Sequence, residues 1–477
     1  MDKFKKLDPL PNHWEWKTIQ EIGKIYSGGT PSTKNQEYFD GDIPWITPAD
    51  LSGYSHKYIS KGRKNISEKG LKSSSAMLLP KDSVLFSSRA PIGYVAIAST
   101  PLATNQGFKS VYPNEGISNE YLYYYLKSIK ALAESKASGT TFLEISKSNF
   151  SRLPFPLPPF PEQERIVSKI EELFTQLDAA EAALKRAKNN LKRYKQSLLQ
   201  AAVTGELTRE WREAHKDELE PASKLLEKIK AERRAKWEAE IRAKGKEPAK
   251  EKYHEPKEPD TSDPSELPEE WCWVYTELIL DYIQYGTSEK ANTDSSGIPV
   301  LRMGNIQDGE LDFGNLKYLP KNIKNIERYY LKPGDILFNR TNSAELVGKT
   351  AVFKNSYPKS TFASYLIRVR TNNNYTPDLL AVFTNSLFGK KYISSVVSQQ
   401  VGQANVNGEK LKKMPIPLPS KAEQKIIIDK INENFYQIEK IHKYLENNIN
   451  RIELSKRSIL QKAFTGQLIQ SQTEERE

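Results

Sequence analysis

Leu153–Ile170 reads LPFPLPPFPEQERIVSKI, and Met414–Ile431 reads MPIPLPSKAEQKIIIDKI. Pro154, Pro156, Leu157 and Pro158 of the first match Pro415, Pro417, Leu418 and Pro419 of the second, and Glu162-Gln163 matches Glu423-Gln424. The register then holds without a gap, because SLLQAAVTGEL from Ser197 matches SILQKAFTGQL from Ser458 at the same separation of 261 residues. Working outward, LPNHW (Leu10–Trp14) echoes LPEEW (Leu267–Trp271), and IPWITPADL from Ile43 echoes IPVLRMGNI from Ile298. LPKDSVLFSSR from Leu79 echoes LKPGDILFNR from Leu331, with offsets that drift through insertions and deletions. The chain is therefore written twice. Each half is a variable unit of about 150 residues, large enough for its own core, followed by a more uniform tail. Two copies imply a pseudo-two-fold object rather than a solenoid, which needs about three or more repeats.

The tails read as long helices. From Glu162 to Thr204 the chain carries neither proline nor glycine, and apolar residues fall at Ile166, Ile170, Leu173, Leu177, Ala180, Leu184, Ala187, Leu191, Tyr194 and Leu198. Alternating steps of four and three residues are the heptad spacing of a coiled-coil seam. Ile427, Ile431, Ile438, Ile441, Leu445, Ile452 and Ile459 repeat it, interrupted at Asn434, Asn448 and Ser455. Gly205 and Gly466 each follow a threonine and are natural helix stops. A helix from about Glu162 to Val203 is roughly 60 Å long at ~1.5 Å per residue. Two such helices most simply pair with each other as a spacer, the alternative being an ordinary bundle core.

The variable units mix strand-like runs (Ser83–Phe86, Gly93–Ile97) with turn signals, and each reads as α+β. A helix is expected near Ser118–Ala133, with a counterpart near Thr376–Val397. Residues 208–262 have no counterpart after the second tail. Their first stretch is helical in composition, with Leu226, Ile229, Trp237 and Ile241 on one narrow stripe. It reads either as a solvated charged helix or as a docking helix for a partner protein. The following run, rich in Pro, Glu and Lys, reads as a mobile linker.

A formal net charge of +11 favours a polyanionic partner, nucleic acid first. The single cysteine, Cys272, can form neither an intrachain disulfide nor a zinc cluster, and the five histidines never sit at ligand spacing. No apolar run approaches the ~20 residues that span a bilayer, and the amino-terminal stretch does not read as a signal peptide, so the expected location is cytoplasmic with no membrane partner. SGGTPSTK (Ser27–Lys34) has the spacing of neither the dinucleotide nor the phosphate loop. LPPF (Leu157–Phe160) is similar to the amino-methyltransferase tetrapeptide, but Leu157 cannot accept a hydrogen bond from an adenine amino group. The chain is thus expected to be non-catalytic and to hold neither cofactor nor metal.

GGTPSTKNQEYFDGDIPWITPADL (Gly28–Leu51), TNQGF (Thr104–Phe108) and SGTTFLEISKSNFSRLPFPLPPFPEQERI (Ser138–Ile166), with the second-half matches, resemble the type I restriction-modification specificity subunits. The resemblance covers nearly the whole chain except the linker. It implies an α+β fold of two pseudo-repeated α/β target recognition domains separated by an antiparallel coiled-coil pair of long helices. The implied division is a first recognition domain at 1–155, a first helix at 156–207, the charged extension and linker at 208–265, a second recognition domain at 266–416, a second helix at 417–470 and a tail at 471–477. Ile170, Leu177, Leu184, Leu191 and Leu198 would form one helix seam, and Ile431, Ile438, Leu445, Ile452 and Ile459 the other. Each domain would read one half of a split, asymmetric site in double-stranded DNA. Two modification subunits using S-adenosylmethionine would methylate adenine N6, and two restriction subunits using ATP with Mg would translocate and cleave. A DNA-binding regulator that recruits no methyltransferase, and a degenerate methyltransferase acting alone, are the competing readings.

Base edges are read by side chains, while other basic groups hold phosphates. Candidate DNA-contacting residues in the first unit are Lys34, Arg63, Lys64, Arg89, Gln106 and Lys109. In the second they are Arg302, Lys321, Lys324, Arg340, Asn342, Lys349, Gln403 and Asn405. Arg89 and Arg340 lead, because each follows a matched Leu-Phe strand and precedes a glycine turn at Gly93 or Gly348.

Overall fold

The structure is a computed structural model that describes residues 9–139, 143–259, 267–343, 346–400 and 403–469. The expected tail at 471–477 and part of the expected linker (260–265) lie outside the described residues. The chain divides into two compact units, one of residues 1–186 with 445–477 and the other of residues 187–444.

The first unit holds a five-stranded sheet in the order Gly23–Ser27, Lys109–Pro113, Val84–Phe86, Val95–Ala98, Tyr58–Ile59. The second holds four strands in the matching order Leu280–Tyr285, Leu366–Thr371, Ile336–Asn339, Thr350–Val352. Val84, Leu85 and Phe86, like Ile336, Leu337 and Phe338, are all buried. An unbroken apolar run suits a strand covered on both faces. A smaller sheet also recurs: Lys64–Ile66, Phe39–Ile46, Ala103–Thr104 in one unit and Lys317–Leu319, Ile298–Leu301, Thr361–Phe362 in the other. In both, the central strand runs antiparallel to the first and parallel to the third. Ser27–Lys34, Gly-rich in sequence, serves close backbone approach: a Cβ on Gly28 would lie 1.9 Å from Asn105 O, and one on Gly29 2.2 Å from Ala76 N. The fold is thus α+β and internally repeated, as the sequence indicates.

The proline-rich matches form a third repeated ribbon. Glu15–Thr18 pairs antiparallel with Pro154–Leu157, and Cys272–Tyr275 with Pro415–Leu418. Prolines fit here because a two-stranded ribbon leaves an outward side that needs no N–H. Each ribbon leads directly into a helix of 44 residues, Phe160–Val203 and Lys421–Phe464. The repeated Glu-Gln pair ties each helix start to its unit. Gln163 Nε2 donates to Pro158 O and Gly116 O, and its Oε1 accepts from Ser118 N at 2.9 Å. Gln424 does the same with Pro419 O, Asn374 O and Thr376 N. Both glutamines have no exposed surface.

Ser118 caps the helix Asn119–Ser128, which lies within the expected stretch, but a new short helix starts at Lys130. The Thr376 counterpart is likewise broken at Ser386, between Pro377–Asn385 and Leu387–Val396.

Within the first unit, the first half of one long helix packs antiparallel to the last half of the other. Ile166 and Ile170 share a core with Leu460, Ala463 and Phe464, while Lys456 Nζ reaches Asp178 at 2.7 Å and Glu181 at 2.9 Å. The second unit reciprocates, with Leu199, Ala202 and Val203 in one core with Ile427, Ile428 and Ile431. Of the seam residues, Ile170, Leu198, Ile431, Ile438, Leu445 and Ile452 are buried, and Leu177, Leu184, Leu191 and Ile459 are half-buried. Four heptad positions depart: Ala180, Ala187, Tyr194 and Ile441 are exposed, the last two at 51% and 46%. Tyr194 turns its hydroxyl to Asn434 instead, 3.1 Å away.

The extension is folded onto its own unit. Leu225 and Ile229 of the helix Ala222–Ala243 are buried in the second core, with Leu226 packed against it. Arg233 donates to Glu277 O at 2.8 Å, and Asn374 to Glu232 at 2.6 Å. That face is consumed within the unit, not left free for a partner. Trp237 lies against Tyr253, and Pro256 and Pro259 are buried, so this part of the run beyond the helix also lies against protein.

Candidate nucleic-acid interface

Both large sheets end in a hairpin with the same backbone register. In the first unit, Ser87 Oγ donates to Pro91 O at 2.7 Å and accepts from Tyr94 N at 2.8 Å, bracing the turn. Ser88 N then donates to Gly107 O, and Ser88 O accepts from Ile145 N. In the second unit Arg340 N donates to Tyr365 O, and Arg340 O accepts from Val406 N. Gly93 and Gly348 close the two turns at φ of +98° and +90°. A Cβ there would meet Lys130 Cγ at 2.7 Å or Ile393 Cδ1 at 2.5 Å, so sterics as well as φ select glycine.

This register corrects one expectation. Ser88, not Arg89, occupies the place of Arg340. The residue equivalent to Arg89 is Thr341, since Arg89 stands opposite Glu144 and Thr341 opposite Asn405. The matched Leu-Phe strands are followed by Arg at different distances, and successive strand residues face opposite ways.

Around the first hairpin three candidates converge. Arg89 Nη1 donates to Glu144 Oε2 at 3.3 Å. Lys109 Nζ lies 3.5 Å from Glu144 Oε1, 3.4 Å from Ser88 Oγ and 3.5 Å from Gln106 O. Lys109 is buried, which pulls its ammonium pKa down, with Arg89 and Lys147 acting the same way and Glu144 opposing. Gln106 is exposed and accepts from the Thr30 hydroxyl. The other candidates lie elsewhere. Arg63 and Lys64 are exposed at the small sheet, where Arg63 N donates to Asp50 Oδ1 at 3.0 Å, and Lys34 is exposed on the turn before Gln36–Tyr38.

In the second unit, Arg340 and Asn405 meet on Thr341. Arg340 Nε donates to Thr341 Oγ1 at 3.3 Å and Asn405 Nδ2 at 3.2 Å, while the guanidinium sits 5.0 Å above the Tyr285 ring. Asn342 and Gln403 belong to the same three-stranded sheet. Lys349 precedes its neighbouring strand and donates to Gln307 at 3.2 Å. Arg302, which donates to Asn315 O at 3.2 Å, and the exposed Lys321 and Lys324 belong to the small sheet and the loop after it. Sequence reasoning missed Glu144, Thr341 and Tyr285. Glu144 lies in the quoted Ser138–Ile166 stretch, but only strand register shows which cation it faces.

Among the described residues, no group of three or more His, Cys, Asp or Glu side chains is placed to hold a metal ion. No described helix is long and apolar enough to cross a membrane.

Comparison with known proteins places this geometry. The type I restriction modification DNA specificity domain matches residues 11–191 and 282–458. The MjaIX specificity subunit of Methanocaldococcus jannaschii is 46% identical over 171 residues, 35% of this chain and 39% of that protein. The chain therefore matches well under half of that relative. The EcoKI specificity subunit of Escherichia coli K12 is 25% identical over 409 residues, 84% of this chain and 77% of that protein. Among solved structures, a chain from the type I R-M system is similar at a TM-score of 0.67 and 18% identity, covering 97% of this chain and 100% of its own. The HsdS subunit of Thermoanaerobacter tengcongensis is similar at 0.52 and 17%, covering 98% and 100%. At these identities the structural likeness concerns the fold.

Proposed function

Because this chain belongs to the type I restriction modification DNA specificity domain family, we propose that it is the DNA-reading specificity subunit of a type I restriction-modification complex. The observation that carries this reading is the repeated hairpin. One backbone framework presents Arg89 and Glu144 in the first unit and Thr341 and Asn405 in the second. A common frame with different side chains suits two different half-sites, and hence an asymmetric, split target in double-stranded DNA.

In this reading, residues 1–155 and 266–416 are the recognition domains, and 156–207 and 417–470 set the unread gap. Arg89, Gln106, Arg340, Asn342, Gln403 and Asn405 serve base edges. Lys34, Arg63, Lys64, Lys109, Arg302, Lys321, Lys324 and Lys349 serve phosphates or orient the readers. The chain catalyses nothing itself. Adenine must leave the stack to be methylated, and two modification subunits supply that pocket and its S-adenosylmethionine. Two restriction subunits supply ATP- and Mg-dependent cleavage. The proposed setting is the cytoplasm.

A genome-wide map of N6-methyladenine, in cells with the gene and without it, tests the proposal. Loss of a split motif with a fixed gap on deletion supports it. Identical maps, in a cell expressing the partner methyltransferase, would favour a DNA-binding regulator instead.

A further inference from the structure

Resting on the specificity-subunit reading, we propose that the cross-strand pairs Arg89–Glu144 and Thr341–Asn405 are matching base-pair readers, the first for a G·C pair and the second for an A·T pair. The two pairs occupy one position in the repeated frame. Arg89 is in register with Glu144, and Thr341 with Asn405. The flanking backbone bonds of Ser88 and Arg340 are the same in both. Only the side chains differ.

Those side chains differ in the way base edges differ. In the major groove guanine offers two acceptors, O6 and N7, and its partner cytosine offers an amino donor. A guanidinium beside a carboxylate is the complement of that edge. Arg89 spends one N–H on Glu144, leaving donors that can fork onto guanine. Glu144 accepts one bond on each oxygen, from Arg89 and Lys109, and a carboxylate can accept about four. Capacity remains for the cytosine amino group. Its side chain is 36% exposed and that of Arg89 34%, so both are within reach of a ligand while braced.

Adenine offers one donor and one acceptor, which a carboxamide matches with its own pair. Asn405 is half-buried and its Nδ2 donates to Thr341 Oγ1. Thr341 is 8% exposed and is a positioning residue: it accepts from Asn405 and from Arg340. That anchoring leaves the Asn405 carbonyl and one amide hydrogen for the adenine edge. The first pair carries charge and the second none, so the two half-sites would differ at this position for a stated chemical reason.

The test is the methyladenine map in cells whose only copy of the gene carries Arg89→Ala, Glu144→Gln or Asn405→Ala, each beside its conservative partner Arg89→Lys or Asn405→Gln. The expected result is relaxation of a single position. Arg89→Ala and Glu144→Gln should lower a preference of roughly ten- to a hundredfold for one G·C pair to within about threefold, in one half-site only. Asn405→Ala should do the same to one A·T pair in the other half. The unaltered half-site reports that the chain is folded and recruited. An unchanged motif overturns the pairing, as does relaxation spread over both halves, or loss of all methylation in every variant. Absence of any split motif with the unaltered gene would instead sink the specificity-subunit reading itself, and the pairing with it.

Discussion

Trp271 Nε1 donates to Glu423 Oε2 at 2.7 Å, deep inside the second unit. The other oxygen, Oε1, accepts from Thr208 and from Arg212, each at 2.6 Å. The Glu423 side chain is 1% exposed and that of Arg212 9%, so a charge pair is closed off from water. Breaking such a pair from one side costs up to about 3–5 kcal/mol, although here Arg212 would keep the more exposed Glu270, 3.5 Å from its Nε. Glu423→Ala should lower the stability of the second unit by that order, read as a shift in its urea midpoint. A loss no larger than about 1 kcal/mol would mean that the pair contributes as a surface bridge does.

The matching position in the first unit behaves differently, and sequence could not show it. Glu162 aligns with Glu423, yet its partner is His13, at 2.8 Å. Trp14, the counterpart of Trp271, has no partner for Nε1 among the described residues. Identical motif letters conceal this because Arg212 comes from the extension that follows only the first helix. What was legible is what repeats at fixed spacing: the helices and their Thr-Gly ends; the proline-rich matches were legible as a repeat but not as the ribbons they form. The hairpin was legible as a hairpin, but aligning LFSSR with ILFNR on arginine is wrong by one residue. The strand faces are set by Phe86 and Phe338, whose burial sequence shows, and the extra serine before Arg89 moves the charge to the other side. The extension stripe was visible too, at Leu226 and Ile229, but not which surface would cover it.

The first unit should lose stability in acid through Glu120. Burial raises its pKa, but hydrogen bonds from Lys57 and Tyr58 outweigh this and hold it below the usual carboxylate value. A depressed folded-state pKa contributes stability above the unfolded value, and that stability is lost as pH falls through the folded one. Lys57 bonds Glu120 and Glu171 at 2.5 Å each. Lys57→Met should therefore flatten the decline in urea midpoint between about pH 6 and pH 3. An unchanged slope would assign the acid sensitivity to other carboxylates.

Ile170 and Ile431 are matched core positions with 0% and 2% exposure. Truncating either to alanine removes buried methyl groups and leaves a cavity, at a cost of about 2–5 kcal/mol. Limited proteolysis should show Ile170→Ala loosening the first unit and Ile431→Ala the second. Equal loosening of both units by either change would show that they unfold as one.

Arg340→Ala removes the guanidinium above Tyr285 and one of two donors to Thr341. The expected outcome is a loss of about 1–3 kcal/mol in recognition of the second half-site. Binding assays on matched and mismatched duplexes decide it. Equal loss on every sequence would make Arg340 a phosphate contact.

If the tails set the unread gap, one heptad added to both lengthens them by ~10 Å. That corresponds to about three base pairs of B-DNA at 34–36 Å per turn. The methyladenine map should show a correspondingly wider gap, and an unchanged gap would reject the ruler role.

Phe464 stacks edge-on against Tyr121 and Tyr125, with ring centroids 5.2 and 5.1 Å apart. The first unit is therefore closed by residues that follow the whole of the second in the chain, whereas residues 187–444 are continuous. Domains ordinarily fold in the order they leave the ribosome. Here the part made first must wait, its aromatic core uncovered, until the last helix has been translated. Premature termination before Leu460 would consequently damage the amino-terminal unit and spare the one nearer the break.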